Sequence, residues 1–214
     1  MIKIDMHVHT NTSRCSMNFL EMLKKMCSRK HILPIITDHN AMTKVDFGIP
    51  GEEISTEKGE FCGIFLTEEI QEKNIFEAVD KVKEQGGLIY LPHPFDWRRR
   101  RSLCKYGELE NPEFIKNVDI VEVYNSRCVE QRPNDEAYSF AESKNLLMGV
   151  GSDAHFPWEV GNAYLNVEDF DLDNPKEFLK VLKKADKNGF YCKRSHPSNM
   201  LVCSKLSKRI KKLI

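Results

Sequence analysis

Short apolar runs that each end in a histidine or an acid recur along this chain. They read "IKIDMHVH" at 2–9, "ILPIITDH" at 32–39, "LIYLPHP" at 88–94 and "LLMGVGSDAH" at 146–155. Runs of this length, rich in Ile, Leu and Val, are strands buried on both faces. Between them lie amphipathic helical patterns. "NFLEMLKKMCSRK" carries Phe19, Leu20, Leu23, Met26 and Cys27 on one expected stripe, and "NIFEAVDKVKEQGG" turns Ile75, Ala78, Val79 and Val82 inward before its glycines stop it. "NPEFIKN", "NDEAYSFAESKN" and "NPKEFLKVLKKADK" supply further helices, and "IPGEEIST", "GEFCGIFL", "DIVEVYN" and "GNAYLNV" further strands. Strands alternating with helices predict an α/β fold with a parallel sheet of six or seven strands.

The polar residues choose between an open sheet and a closed one. His7 and His9 end the first strand, and Asp38 and His39 the second; Glu53 lies in "PGEEIST", His93 in "LPHP", and Asp153 and His155 in "GSDAH". A closed barrel gathers the carboxyl ends of its strands on one face, whereas an open sheet spreads them along a crevice. Five of the seven histidines belong to this set, so a barrel of (β/α) units is the expectation.

Any one of these motifs alone is a turn or a satisfied strand-end histidine. Their conjunction is not. Several carboxylates and imidazoles desolvated side by side repel one another or lose their charge, and bound divalent metal removes that cost. Imidazole with carboxylate suits Zn, Mn or Fe. The donors exceed what one ion needs, so two or three ions are expected, with Glu53 as a bridge. Such a cluster can activate a hydroxide and clamp the oxygens of an in-line displacement, which favours phosphoester hydrolysis.

In order, "DMHVHT", "TDHN", "PGEEIST", "LPHPFD" and "GSDAH" resemble the PHP (polymerase and histidinol phosphatase) family of metal-dependent phosphoesterases, over about Ile2 to Asn166. The resemblance implies a distorted (β/α)7 TIM-like barrel. It also implies that His7, His9, Glu53 and Asp153 hold one ion, Glu53 and His93 belong to a second, and His39 and His155 to a third. Asp38 is then a ligand or a partner that orients a histidine, and Asp38 and His155 are the expected catalytic residues. Two positions depart from the family's pattern. Arg14 and Cys15 stand where many relatives have an acid or a histidine, leaving Cys15 a thiolate ligand or the third site weak. Glu60 stands where many have a histidine.

"PHPFDWRRRRS" puts Arg98 to Arg101 just past a strand end, where a guanidinium can grip a phosphate; Arg98 and Arg101 are the expected contacts. The resemblance makes "VEVYNSR" a pocket wall, with Asn125 and Arg127 as substrate contacts.

Composition narrows the partners. Lys plus Arg equals Asp plus Glu at 32 each, so no overall field recruits nucleic acid. No apolar stretch approaches the roughly 20 residues that cross a bilayer. Seven scattered cysteines with no C-x-x-C pair fit free thiols and a cytoplasmic address. The expected organisation is one barrel domain over 1–192 and a basic tail or helix over 193–214 packed on it. A hydrolase of phosphoric esters acting on a small phosphorylated metabolite or nucleotide is the leading reading. A nuclease of the same family, or a non-catalytic barrel binding RNA or protein, are the alternatives.

Overall fold

The structure is a computed structural model that describes residues 1–195, 207–209 and 211. Its strands are β1 (Ile2–Val8), β2 (Ile32–His39), β3 (Ile49–Thr56), β4 (Gly59–Ile64), β5 (Leu88–Leu91), β6 (Ile120–Asn125), β7 (Leu147–Gly151), β8 (Ala163–Val167) and β9 (Tyr191–Cys192). They form one nine-stranded sheet in the order β7-β6-β5-β4-β3-β2-β1-β8-β9. A parallel bridge from Val8 to Ala154, just past β7, draws the sheet nearly closed into a barrel. The helices are α1 (Leu20–Lys30), α2 (Ile75–Glu84), α3 (Pro112–Ile115), α4 (Arg132–Ser143) and α5 (Pro175–Lys184).

The sheet is mixed, where a parallel one is predicted. The pairs β1–β2, β2–β3, β5–β6 and β6–β7 are parallel, but β4 runs against both neighbours and β8 against β1. The reason is legible in the β3–β4 connection. Only Glu57 and Lys58 separate the two strands, too short a link for anything but a hairpin, and Gly59 accepts the left-handed φ of 113° that follows it. No helix lies between β2 and β3 or between β3 and β4, so strict (β/α) alternation fails there.

Helix α2 buries the four residues its periodicity selects, Ile75, Ala78, Val79 and Val82, and Asn74 caps it by accepting from the amides of Phe76 and Glu77. Helix α1 departs from expectation. Only Leu23 and Cys27 are buried, while Phe19, the N-cap, is 50% and Leu20, the first helical residue, 39% exposed. The main core gathers Ile4, Ile35, Ile54, Phe61, Ile64, Val82, Ile89 and Phe178 between sheet and helices. Most of the basic tail falls outside the described residues; within them, Lys211 donates to the carbonyls of Asn11 and Ser13. No described helix is long and apolar enough to cross a membrane.

Glu52 and Glu53 leave β3 on opposite faces. Glu52 is fully buried with one oxygen accepting from the Ile70 amide at 2.9 Å and the other without a partner. Burial pushes its carboxyl up from 4.5 to about 7. Between those values the unfolded chain has released this proton and the folded chain has not, so stability falls as pH rises through the window. Glu52→Gln keeps the acceptor and removes the ionisation. It is expected to raise stability by roughly 2–3 kcal/mol at pH 8. The gain should shrink as pH falls toward 4.5, read by urea titration of both proteins across that range.

Candidate metal centre

Five strands bring the predicted donors together. His7 and His9 come from β1 and the residue after it, His39 from the end of β2, and Glu53 from β3, where the register sets His39 beside Glu53. His93 follows β5, and Asp153 and His155 follow β7. His93 and Asp153 both hold positive φ, 33° and 54°, which costs non-glycine residues energy and aims their side chains inward.

The donor atoms converge. His7 Nε2 and His9 Nε2 are 3.1 Å apart. Glu53 Oε2 lies 3.6 Å from His7 Nε2, 3.5 Å from His9 Nε2 and 2.8 Å from His39 Nδ1, while its Oε1 lies 3.2 Å from His93 Nε2. Asp153 Oδ1 is 3.2 Å from His9 Nε2 and 3.7 Å from His7 Nε2. Three overlapping groups have donor atoms close enough to share an ion: His7, His9 and Asp153; His7, Glu53 and His93; His9, His39 and His155. Of the seven side chains only His39 is substantially open, at 33%, so the mouth lies on its side.

Neighbouring groups fix which nitrogen each ring presents. His7 Nδ1 lies 3.1 Å from Glu122 Oε1, which orients the ring so that Nε2 faces the cluster. Glu122 also accepts from Tyr90 Oη and, through Oε2, from the His93 amide and Asn125 Nδ2. His155 Nδ1 donates to the Asp153 carbonyl at 2.8 Å, freeing Nε2. Ser13 Oγ donates to Asp38 at 2.6 Å, so it can only accept from His9 Nδ1 at 3.3 Å. Asp38 itself is saturated by the Thr10 and Ser13 amides and the hydroxyls of Thr10, Ser13 and Thr43. It belongs to none of the three groups. Of its two expected roles, the geometry matches orientation of His9 through Ser13.

Electrostatics divides the cluster into charged and neutral members. Burial and the neighbouring His39 hold His9 down to about 4. Burial, then Arg127 and His9, push His155 well below the usual histidine range. For His7, burial is outweighed by Glu122 and Asp153, which lift it well above that range. Burial would raise Glu53, but His39 beside it holds its carboxyl well below the ordinary value. Asp153 is likewise held down by Arg99 and His7 against the effect of burial.

Glu53 Oε2, Asp153 Oδ1 and His93 Nδ1 are buried without a hydrogen-bond partner. Two buried carboxylate oxygens crowded among imidazole rings are a costly arrangement that a cation satisfies. The residues fit a divalent metal cluster of nitrogen and oxygen donors.

The arginines sort differently from expectation. Arg98 pairs with Glu130 and covers the exposed Trp97 ring at 4.8 Å, away from the cluster. Arg99 reaches it instead, donating to Asp153 Oδ2 at 2.5 Å and to Asn125 Oδ1 at 3.4 Å, with its Nε on Asp96. A tight turn decides this: the amides of Arg98 and Arg99 both bond back to Asp96 and swing the second arginine inward. Arg101 donates to the Thr56 carbonyl and lines an open cleft of about 420 Å³ with Asn40, Ser55, Glu57 and Lys73, beginning one residue past His39. Asn125 is buried on Glu122, and Arg127 Nε sits 3.6 Å from Glu159, whose carboxylate accepts from the His155 amide. Glu60 is 8% exposed, and burial and Glu53 raise its carboxyl; it belongs to none of the three groups.

Glu122, in "VEVYN", and Arg99, one of the four arginines, are residues to which sequence reasoning gave no role of their own. Glu122 had a signal, since a carboxylate between Val121 and Val123 inside a buried strand demands a partner. Close approach also makes a demand: a Cβ at Gly151 would stand 2.2 Å from Glu122 Oε1 and 2.4 Å from His7 Cβ. Gly151→Ala is expected to destabilise the fold by about 1–3 kcal/mol and to weaken metal binding through a displaced His7, measured by thermal melting and metal titration.

Residues 131–186 match the model of a PHP-associated family. An uncharacterized protein of Methanocaldococcus jannaschii, MJ0417, is 55% identical over 188 residues, 85% of this chain and 79% of that one. A two-domain Bacteroides vulgatus protein containing a predicted PHP-like metal-dependent phosphoesterase has the same fold at a TM-score of 0.61 and 16% identity, covering 96% of this chain and 69% of its own. PsfC from Pseudomonas syringae superimposes at 0.62 with 14% identity over 100% of this chain and 99% of that one. With its ordered histidine motifs, its nearly closed barrel and these relatives, the chain belongs to the PHP (polymerase and histidinol phosphatase) family.

Proposed function

We propose that this protein is a metal-dependent phosphoesterase acting on a small phosphorylated molecule. The observation that carries the reading is the set of three donor groups that overlap at His7 and His9, with Arg99 on Asp153 at their flank. His7, His9, Glu53 and Asp153 hold one ion, Glu53 and His93 belong to a second, and His39 and His155 to a third, with Zn, Mn or Fe as the metals these donors suit. Bound there, the ions supply Lewis acidity toward a phosphoryl oxygen and lower the pKa of water. The chain's own residues do the rest. Glu122, the Asp153 carbonyl and the Asp38–Ser13 pair orient the rings of His7, His155 and His9, so these three need no reorganisation when substrate arrives. Arg99, charged and planar, is placed to take non-bridging phosphate oxygens in exchange for Asp153. His155 serves at the cluster directly, and Asp38 as a positioning residue. Arg101 and Lys73 line the cleft that would take the rest of the substrate.

The ring β1–β7 is read as a distorted (β/α)7 barrel, and 1–192 as one domain with 193–214 as its tail. The test is a substrate panel on the metal-loaded protein. A small phosphomonoester or mononucleotide should be hydrolysed in preference to single-stranded oligonucleotide. Preference for the oligonucleotide would turn the assignment to a nuclease.

A further inference from the structure

Helix α4 packs on β6 and β7 and α5 on β7 and β8, and a groove runs between the two helices. Helix α5 ends at Ala185, whose ψ of 133° takes the chain out of the helix and into the tight turn Lys187–Gly189. Asp186 stiffens that turn by accepting from the backbone amide and the side-chain amide of Asn188, at 2.9 and 3.1 Å. Phe190 follows and meets the Tyr124 ring of β6 edge-on, with centroids 6.4 Å apart. Two cavities border this bridge and share Lys187 and Phe190 in their walls. One, of about 400 Å³, has Leu146, Leu147, Met148, Leu182 and Ala185 as its apolar lining. The other, of about 370 Å³, is polar, with Gln131, Asn134, Asn188 and Arg194 in its wall. Both volumes are in the range of small-molecule sites.

Charge in the two linings is one-sided. Lys183, Lys187 and Arg194 are their charged members and no carboxylate is among them, although acids and bases balance at 32 each over the chain. Lys187 has Glu142 at 3.9 Å with both side chains half-exposed, and such a surface pair is weak enough to give way. Arg194 donates to the neutral Gln131 side chain at 3.1 Å. We propose that this groove is a binding site for a small amphipathic anion, an alkyl or aryl body with a carboxylate head. The body fills the apolar cavity, and the head lies between Lys187 and Arg194, where a guanidinium offers a carboxylate two parallel hydrogen bonds. A wholly polar ligand would leave the apolar wall wet, and a wholly apolar one would take cations out of water without a partner. The site uses none of the metal donors and goes beyond the phosphoesterase reading. It still lies close behind the centre: Asn134 accepts from the Asn125 amide at 3.1 Å, and Asn125 Nδ2 donates to Glu122 at 2.8 Å.

The test is titration calorimetry of octanoate into the full-length, metal-loaded protein. Octanoate should bind once per chain, and acetate and 1-octanol should each bind at least about tenfold more weakly. Lys187→Ala and Arg194→Ala, both at exposed positions, should each weaken octanoate about tenfold, the loss of one charge-assisted hydrogen bond. Ala185→Phe, which fills the apolar cavity, should weaken it by a similar factor, and the two surface variants guard against a folding defect there. Octanol binding as tightly as octanoate would reduce the groove to an apolar crevice, and acetate binding as tightly would make it a plain anion site; either result overturns the proposal. Binding that survives both cation changes would overturn it too, and its loss in Glu53→Ala would then place the head on the metal centre. Neither heat nor a shift in melting temperature with octanoate would overturn it outright.

Discussion

Glu53→Ala is expected to empty the centre. Glu53 stands within 3.6 Å of donor nitrogens on His7, His9, His39 and His93, from three strand ends, and no other carboxylate reaches all four. Without it, the four rings lose the charge that balances bound cations. At least two ions should be lost per chain, and hydrolysis of a phosphomonoester should fall about 10³-fold or more, because Lewis-acid stabilisation is worth several kcal/mol. A second readout separates this from misfolding. Ligands that bind only the native state raise its melting temperature, so added Zn or Mn should stabilise wild type and leave Glu53→Ala unmoved. Metal-induced stabilisation persisting in the variant would show that the ions sit elsewhere.

The second large effect is at Arg99. Its guanidinium is 23% exposed and spans Asp96, Asp153 and Asn125, so it can exchange a protein carboxylate for a phosphate without leaving its place. Arg99→Ala should lower kcat/KM by about 10²–10³, the cost of removing one donor to developing charge in a dry site, with the ion count unchanged. Arg99→Lys should recover little, since a point charge does not reproduce a planar fork. Loss of ions in Arg99→Ala would instead make the arginine a support for Asp153. Arg98→Ala is the internal control: paired with Glu130 on the surface, it should leave activity near wild type.

The contrast between Arg98 and Arg99 shows where the sequence ceased to be legible. A run of four arginines announces a basic edge, but which one faces inward depends on a turn closed by Asp96, and one residue of rotation reverses the answer. The histidines were readable because strand ends are marked by composition and converge in any barrel. The direction of β4 was readable too, from its two-residue link to β3, yet the alternation of the remaining chain pointed to a parallel sheet. Glu122 escaped because its work is across the barrel, on His7 from β1 and Tyr90 from β5, contacts that no local pattern encodes. Helix α1 misled in the ordinary way: an apolar stripe states what a helix can bury, and tertiary packing decides how much it does.

A cluster of divalent ions is expected to make this barrel hydrolyse phosphoesters. This is tested most directly by counting ions per chain in purified wild-type protein and following p-nitrophenyl phosphate hydrolysis after chelation and stepwise return of Zn, Mn or Fe(II). Two or three ions, with hydrolysis lost on stripping and restored as they return, is the predicted result. Near-zero ion content that added metal does not restore, or hydrolysis indifferent to its removal, would contradict it.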